Sequence, residues 1–81
     1  MHRYLVIVEQ GPNNYSAYSP DLPGCASAGD TVEETLAHFR EALKMHLEGI
    51  LEDRDPIPQI SSLASQFMEV EVPHPGVRNR V

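Results

Sequence analysis

Between Arg3 and Glu9 apolar side chains occupy both alternating sets, Tyr4, Val6 and Val8 on one and Leu5 and Ile7 on the other. β-Branched and aromatic residues in such a run predict a central strand covered on both sides. The polar stretch from Gln10 to Asn14 reads as a hairpin connection, after which Tyr15 to Ser19 returns antiparallel. A turn over Pro20–Gly24 leads into a short third strand, Cys25 to Ala28. The period then changes: Val32, Leu36, Phe39, Leu43, Leu47 and Ile50 recur at intervals of three or four and predict one amphipathic helix from Thr31 to about Asp53. Thr31 and Glu34 have the spacing at which cap and carboxylate satisfy each other's free N–H groups. Pro56 and Pro58 stop the helix, Ser61 to Leu63 reads as a single helical turn, and Phe67 to Val72 alternates again. Met68, Val70 and Val72 would face inward, with Glu69 and Glu71 in water.

These elements predict an α+β domain, β-β-β-α-β, with a four-stranded mixed sheet in the order 3-2-1-4 and one long helix on one face. The last strand is expected beside the first and parallel to it. Residues 1–72 form the domain, and 73–81 are expected to be a flexible C-terminal tail. One helix covers one face of the sheet, yet the first strand is apolar on two. Leu5 and Ile7, or their alternates, are therefore expected to meet a second protomer or a partner. A helix of some 23 residues is ~35 Å long against ~17–24 Å for the strands. Its overhanging end, with Ile50 and Leu51, would need cover from the 56–63 segment or another subunit.

Composition adds a limit and a sign. At 81 residues and 41% hydrophobic, with two Phe, three Tyr and no Trp, the chain has a modest core, so self-association would help it. A formal charge of −6 disfavours nucleic-acid binding by the chain itself, and anionic membrane likewise. It favours encounter with a basic protein. The single cysteine, Cys25, has no partner in the chain, no charged-then-apolar leader precedes the first strand, and no apolar run approaches the ~20 residues of a spanning helix. A cytoplasmic protein is the expectation.

Candidate chemistry does not converge. His38 and His46 lie eight residues apart, ~12 Å along a helix, and cannot share one metal; His2 and His74 are distant in sequence. Cys25 between Gly24 and Ala26 reads as a small buried hydrophobe rather than a nucleophile. Ser19 and Ser27 lack an elbow motif. Glu9, Asp21, Glu34, Glu69 and Glu71 do not have the spacing of a two-metal cluster; Asp21 is expected to organise its own turn, and Glu34 the helix cap. No glycine-rich phosphate loop occurs. A binding protein without metal, cofactor or catalytic residue is the expectation.

Tyr18 through Cys25 (YSPDLPGC), then Ala26 through Thr31 (ASAGDT), Glu33 and Glu34, Glu41 to Leu43, and Pro56 to Pro58 resemble the HicB-like antitoxin family over roughly residues 3 to 72. Thr35 departs from the family's usual Ala, on what reads as a helix flank. The resemblance implies a degenerate RNase H-like fold that neutralises a small basic mRNA-cleaving toxin of the HicA type by occlusion. It also makes Pro20, Asp21, Leu22, Pro23, Gly24 and Cys25 the expected partner interface. Many family members add a C-terminal DNA-binding domain; with the sequence stopping at Val81, operator binding is not expected. The alternatives are a homo-oligomeric interaction or small-ligand-binding module of the same fold with no toxin, and an enzyme. Recovery of a basic ribonuclease from native lysate, and RNA cleavage with divalent metal, separate the three.

Overall fold

The computed structural model describes residues 2–73. Three strands, β1 (Ile7–Gln10), β2 (Tyr15–Tyr18) and β3 (Ala26–Gly29), form an antiparallel meander in the order β1-β2-β3, followed by a single helix, α1 (Val32–Glu52). Gly11 and Asn14 close the first hairpin through an N–H···O=C bond of 2.7 Å, which sets Ile7 against Tyr18 and Gln10 against Tyr15. The second pairing sets Tyr15 against Gly29 and Tyr18 against Ala26.

Two consecutive turns join β2 to β3. Leu22 N–H donates to the Ser19 carbonyl (3.1 Å) across Pro20, and Cys25 N–H donates to the Leu22 carbonyl (3.2 Å) across Pro23 and Gly24. Proline pre-sets the first central position of each turn, and Gly24, at φ +84°, takes the left-handed position of a type II turn. Leaving the sheet at Ser19 has a consequence for β1: Arg3 to Val6 have no strand opposite them. This is why the ladder begins at Ile7 rather than at Arg3.

The helix starts as its capping residues dictate. Thr31 Oγ1 accepts from Glu34 N–H (3.0 Å), while Glu34 Oε1 accepts from Asp30 N–H (2.9 Å), one residue earlier than in the simplest capping box. Its C-terminus closes in a Schellman motif: Arg54 N–H donates to the Leu51 carbonyl (3.1 Å) and Asp55 N–H to the Ile50 carbonyl (3.0 Å). Arg54 stands at φ +59°, where a side chain is strained. Arg54→Gly is therefore expected to stabilise the chain by ~1 kcal/mol, read as a higher urea midpoint.

The buried core is Phe39 from the helix with Ala17, Leu22 and Cys25, flanked by Tyr4, Val6, Val8, Ala42 and Leu43. The expected helical stripe is rotated. Leu36 is 41% exposed and Val32 lies outside the core, whereas Thr35 is 0% exposed at the helix–sheet contact rather than on a flank. Gly29 explains the rotation: a Cβ there would sit 2.8 Å from Thr35 Oγ1 and 2.9 Å from Thr35 N, so β3 and α1 approach only because this position has no side chain. The Thr35 hydroxyl is satisfied by donating to the Thr31 carbonyl (2.7 Å), and Ser27 Oγ donates to the Thr35 carbonyl (2.9 Å).

The fourth strand, and with it the order 3-2-1-4, is absent from the sheet. After the helix the chain runs extended past β1 in the same direction. Ile60 to Leu63 lie near Arg3 to Leu5, and Ser65 to Phe67 lie near Val6 to Val8, across open grooves. Phe67 therefore stands beside the middle of β1, and no ladder forms between the two. Among the described residues Met68 to Val72 pair with no strand of their own chain. The expected turn of helix at Ser61–Leu63 is extended too, because the Ser61 and Ser62 N–H groups are taken by Asp21. Ile50 is half-buried and Leu51 exposed, so the helix end is covered only in part. The expected tail lies, beyond Pro73, outside the described residues.

Candidate partner-binding surface

The Pro20–Cys25 loop has an inside and an outside. Leu22 (1% exposed) and Cys25 are core residues, so the turns are fastened to the domain from below. Pro20, Pro23 and Gly24 form the exposed tip. Asp21 serves neither its own turn nor open solvent: Oδ2 accepts from Ser61 N–H (3.1 Å) and Ser62 N–H (3.0 Å), and Oδ1 accepts from Ser61 Oγ (2.8 Å). This carboxylate clasps the post-helix segment to the loop. Tyr4 adds a second anchor, its hydroxyl donating to the Pro58 carbonyl at 2.8 Å.

Hydrogen bonds from Ser62 N–H, and then from Ser61, favour the charged carboxylate and hold Asp21 below the usual aspartate range. A lowered folded-state value gives a contact complete above about pH 4 and lost as pH falls through the folded value. In a carbon-detected NMR titration, the Ser61 and Ser62 amide shifts are expected to move together with the Asp21 carboxyl. In Asp21→Asn that step is expected to vanish.

Leu5 and Ile7 are half-buried. Tyr4, Val6 and Val8 pack on the core, so the alternation along the strand puts Leu5 and Ile7 on the face away from the helix. Both border the grooves that separate the first strand from the post-helix segment.

The groups considered for catalysis do not assemble. Cys25 shares a shallow depression with His46, but burial pushes its thiol up, the opposite of what activates a nucleophile. His38 Nδ1 donates to the Ala28 carbonyl (2.7 Å), tying the helix to β3. Ser19 Oγ is buried with no hydrogen-bond partner among the described residues. Among those residues no group of three or more His, Cys, Asp or Glu side chains could hold a metal ion, and no helix is long and apolar enough to cross a membrane. What the surface offers is shape and charge: a rigid proline-rich tip, an acidic outer helix face and an open sheet edge. Sequence reasoning found the loop but missed the clasp, whose two halves stand 40 residues apart.

The chain is similar to several known proteins. Residues 4–75 match the family described as HicB_like antitoxin of bacterial toxin-antitoxin system. The protein named Antitoxin HicB 2 from Photorhabdus laumondii is 37% identical over 68 residues, 84% of this chain and 49% of that protein. An uncharacterized 14.9 kDa protein of Haemophilus phage HP1 is 35% identical over 68 residues, 84% of this chain and 51% of its own length. The chain thus spans about half the length of these two relatives. It spans 89% of a UPF0150 protein of Helicobacter pylori, to which it is 35% identical over 66 residues. A chain of the structure titled HicA3 and HicB3 toxin-antitoxin complex superposes with a TM-score of 0.63 at 25% identity, covering 73% of this chain and 69% of that one. This chain belongs to the HicB-like antitoxin family of bacterial toxin–antitoxin systems.

Proposed function

We propose that this chain is a toxin-binding antitoxin domain that neutralises a small basic ribonuclease of the HicA type by covering it, with no chemistry of its own. The observation that carries this reading is the fold it shares with a chain of a HicA3–HicB3 complex over 73% of its length. The charge of −6 supports it, because an acidic surface speeds encounter with a basic partner and makes the association rate fall with salt. The Pro20–Cys25 loop is one edge of the contact in this proposal, with the exposed Pro20, Pro23 and Gly24 touching the partner and Leu22 and Cys25 holding the tip in place.

The test takes a small basic ribonuclease of the HicA type as the partner. Added in equimolar amount, the chain is expected to stop RNA cleavage by that protein; undiminished cleavage at saturation would refute the proposal. Pro20→Lys with Pro23→Lys leaves both residues outside the core and sets positive charge against the toxin. Its affinity for the toxin is expected to fall at least about tenfold, since like charges across an interface cost several kcal/mol. Equal affinity would take the loop out of the interface.

A further inference from the structure

The segment Phe67–Val72 is anomalous for a folded chain. Phe67, Met68, Val70 and Val72 are each at least 75% exposed, and Met68, Val70 and Val72 alternate with Glu69 and Glu71 as in a half-buried strand. Beside this segment the outer edge of β1 is equally unused. An open groove of about 400 Å³ separates Val6, Ile7 and Val8 from Ser65, Gln66 and Phe67. Three consecutive residues of a strand point to alternate faces, so a groove lined by all three runs along the edge of the strand. Among the described residues no backbone hydrogen bond bridges it.

We infer that Phe67–Val72 is a strand donated to a second copy of this chain, where it adds to the free edge of β1. Among the described residues the two do not pair within one chain, and the arm's apolar side chains stay in solvent although the anchors at Pro58 and Ser61–Ser62 hold the segment before it to the domain. Between two copies related by a two-fold axis each arm reaches the other's edge, and one contact made twice closes the dimer. The area suffices. An aromatic ring alone presents roughly 150–250 Å² and three aliphatic side chains raise the arm to ~500 Å², so two arms with the surfaces they cover reach the ~1,200–2,000 Å² of a stable interface.

Charge selects the direction. A parallel arm would bring Glu71 toward Glu9 of the acceptor, whereas an antiparallel arm brings Glu71 toward Arg3 at the opposite end of the same edge. Two arms pairing with each other would set Glu69 and Glu71 among their own kind. Antiparallel addition to β1 is the arrangement free of that repulsion, and it also gives the apolar positions a strand to lie beside.

Light scattering on the full chain at micromolar concentration is expected to give twice the chain mass or a multiple of it. Met68→Lys with Val70→Lys and Val72→Lys is expected to give the monomer mass, with the helical far-UV signal unchanged because the arm lies outside the core. Hydrogen exchange supplies the local test: amides of 68–72, and the outward amides of Ile7–Gln10, are expected to exchange at least about tenfold more slowly in the wild type than in the lysine variant. A monomeric wild type, a lysine variant that keeps the wild-type mass, or arm protection without protection of β1 would overturn the inference. So would arm protection that appears only when the toxin is added, since the toxin would then be the occupant. Toxin binding by a monomeric chain would sink the exchange and leave the proposed function standing.

Discussion

Phe39→Ala is expected to remove about a third or more of the chain's stability. Phe39, 2% exposed, is the largest buried side chain and the one around which Ala17, Leu22 and Cys25 gather. Truncating a buried Phe costs ~3–5 kcal/mol through lost transfer energy and the cavity left behind. A chain of this size has a total of roughly 4–12 kcal/mol. The helix brings no comparable replacement, since its other contacts with the core, Ala42 and Leu43, are small or half-buried. Urea denaturation followed by far-UV circular dichroism checks this. A cooperative transition within about 1 kcal/mol of wild type would mean that the core is organised around some other residue.

Gly29→Ala is the second large effect, with an expected loss of ~1–3 kcal/mol through overpacking. The added methyl would meet Thr35 Oγ1 at 2.8 Å and Thr35 N at 2.9 Å, and the second atom belongs to helix backbone that has no rotamer to escape into. Combining it with Thr35→Ala tests the geometry, because that change removes the hydroxyl contact and leaves the backbone one. The double variant is expected to recover part of the loss, with a coupling of ~0.5–1 kcal/mol in a thermal or urea cycle. Full recovery would show that the helix moves away freely, and zero coupling that the side chain was never the obstacle.

These two positions show how far local patterns reach. The hairpin at Gln10–Asn14, the turn glycine at position 24 and the cap at Thr31 are legible because each is decided by residues within four positions of one another. Helix rotation was legible only approximately: periodicity favoured Leu36 over Thr35, while the close approach at Gly29, six residues earlier on another element, turned Thr35 inward. Arg54 gave no sign of its left-handed backbone because the residue usual there is glycine. The alternation of Met68 to Val72 was read as a fourth strand beside β1, but periodicity carries no information on which strand answers it, and among the described residues the segment pairs with none. Within the loop, Leu22 looked as available as Pro20 and Pro23, since nothing local distinguishes the side of a turn that faces the core. Asp21 was placed in its own turn because the serines it binds are 40 residues on.

The sheet order β1-β2-β3 follows the order of synthesis, and α1 docks on the strand just before it. Strand pairing and helix docking therefore close short loops, which by the trend with contact order favours fast folding of the meander and helix. Among the hydrogen bonds of the described residues, those from Asp21 to Ser61 and from Tyr4 to Pro58 span 40 and 54 residues and carry the largest loop-closure entropy. They should be the last to form and the first to break. A nascent or partly opened chain would then hold a finished meander and helix while the stretch beyond Pro56 still sweeps solvent, leaving that stretch the most accessible to a protease that needs an extended substrate. Degradation could thus begin at the segment beyond the clasp without first unfolding the domain.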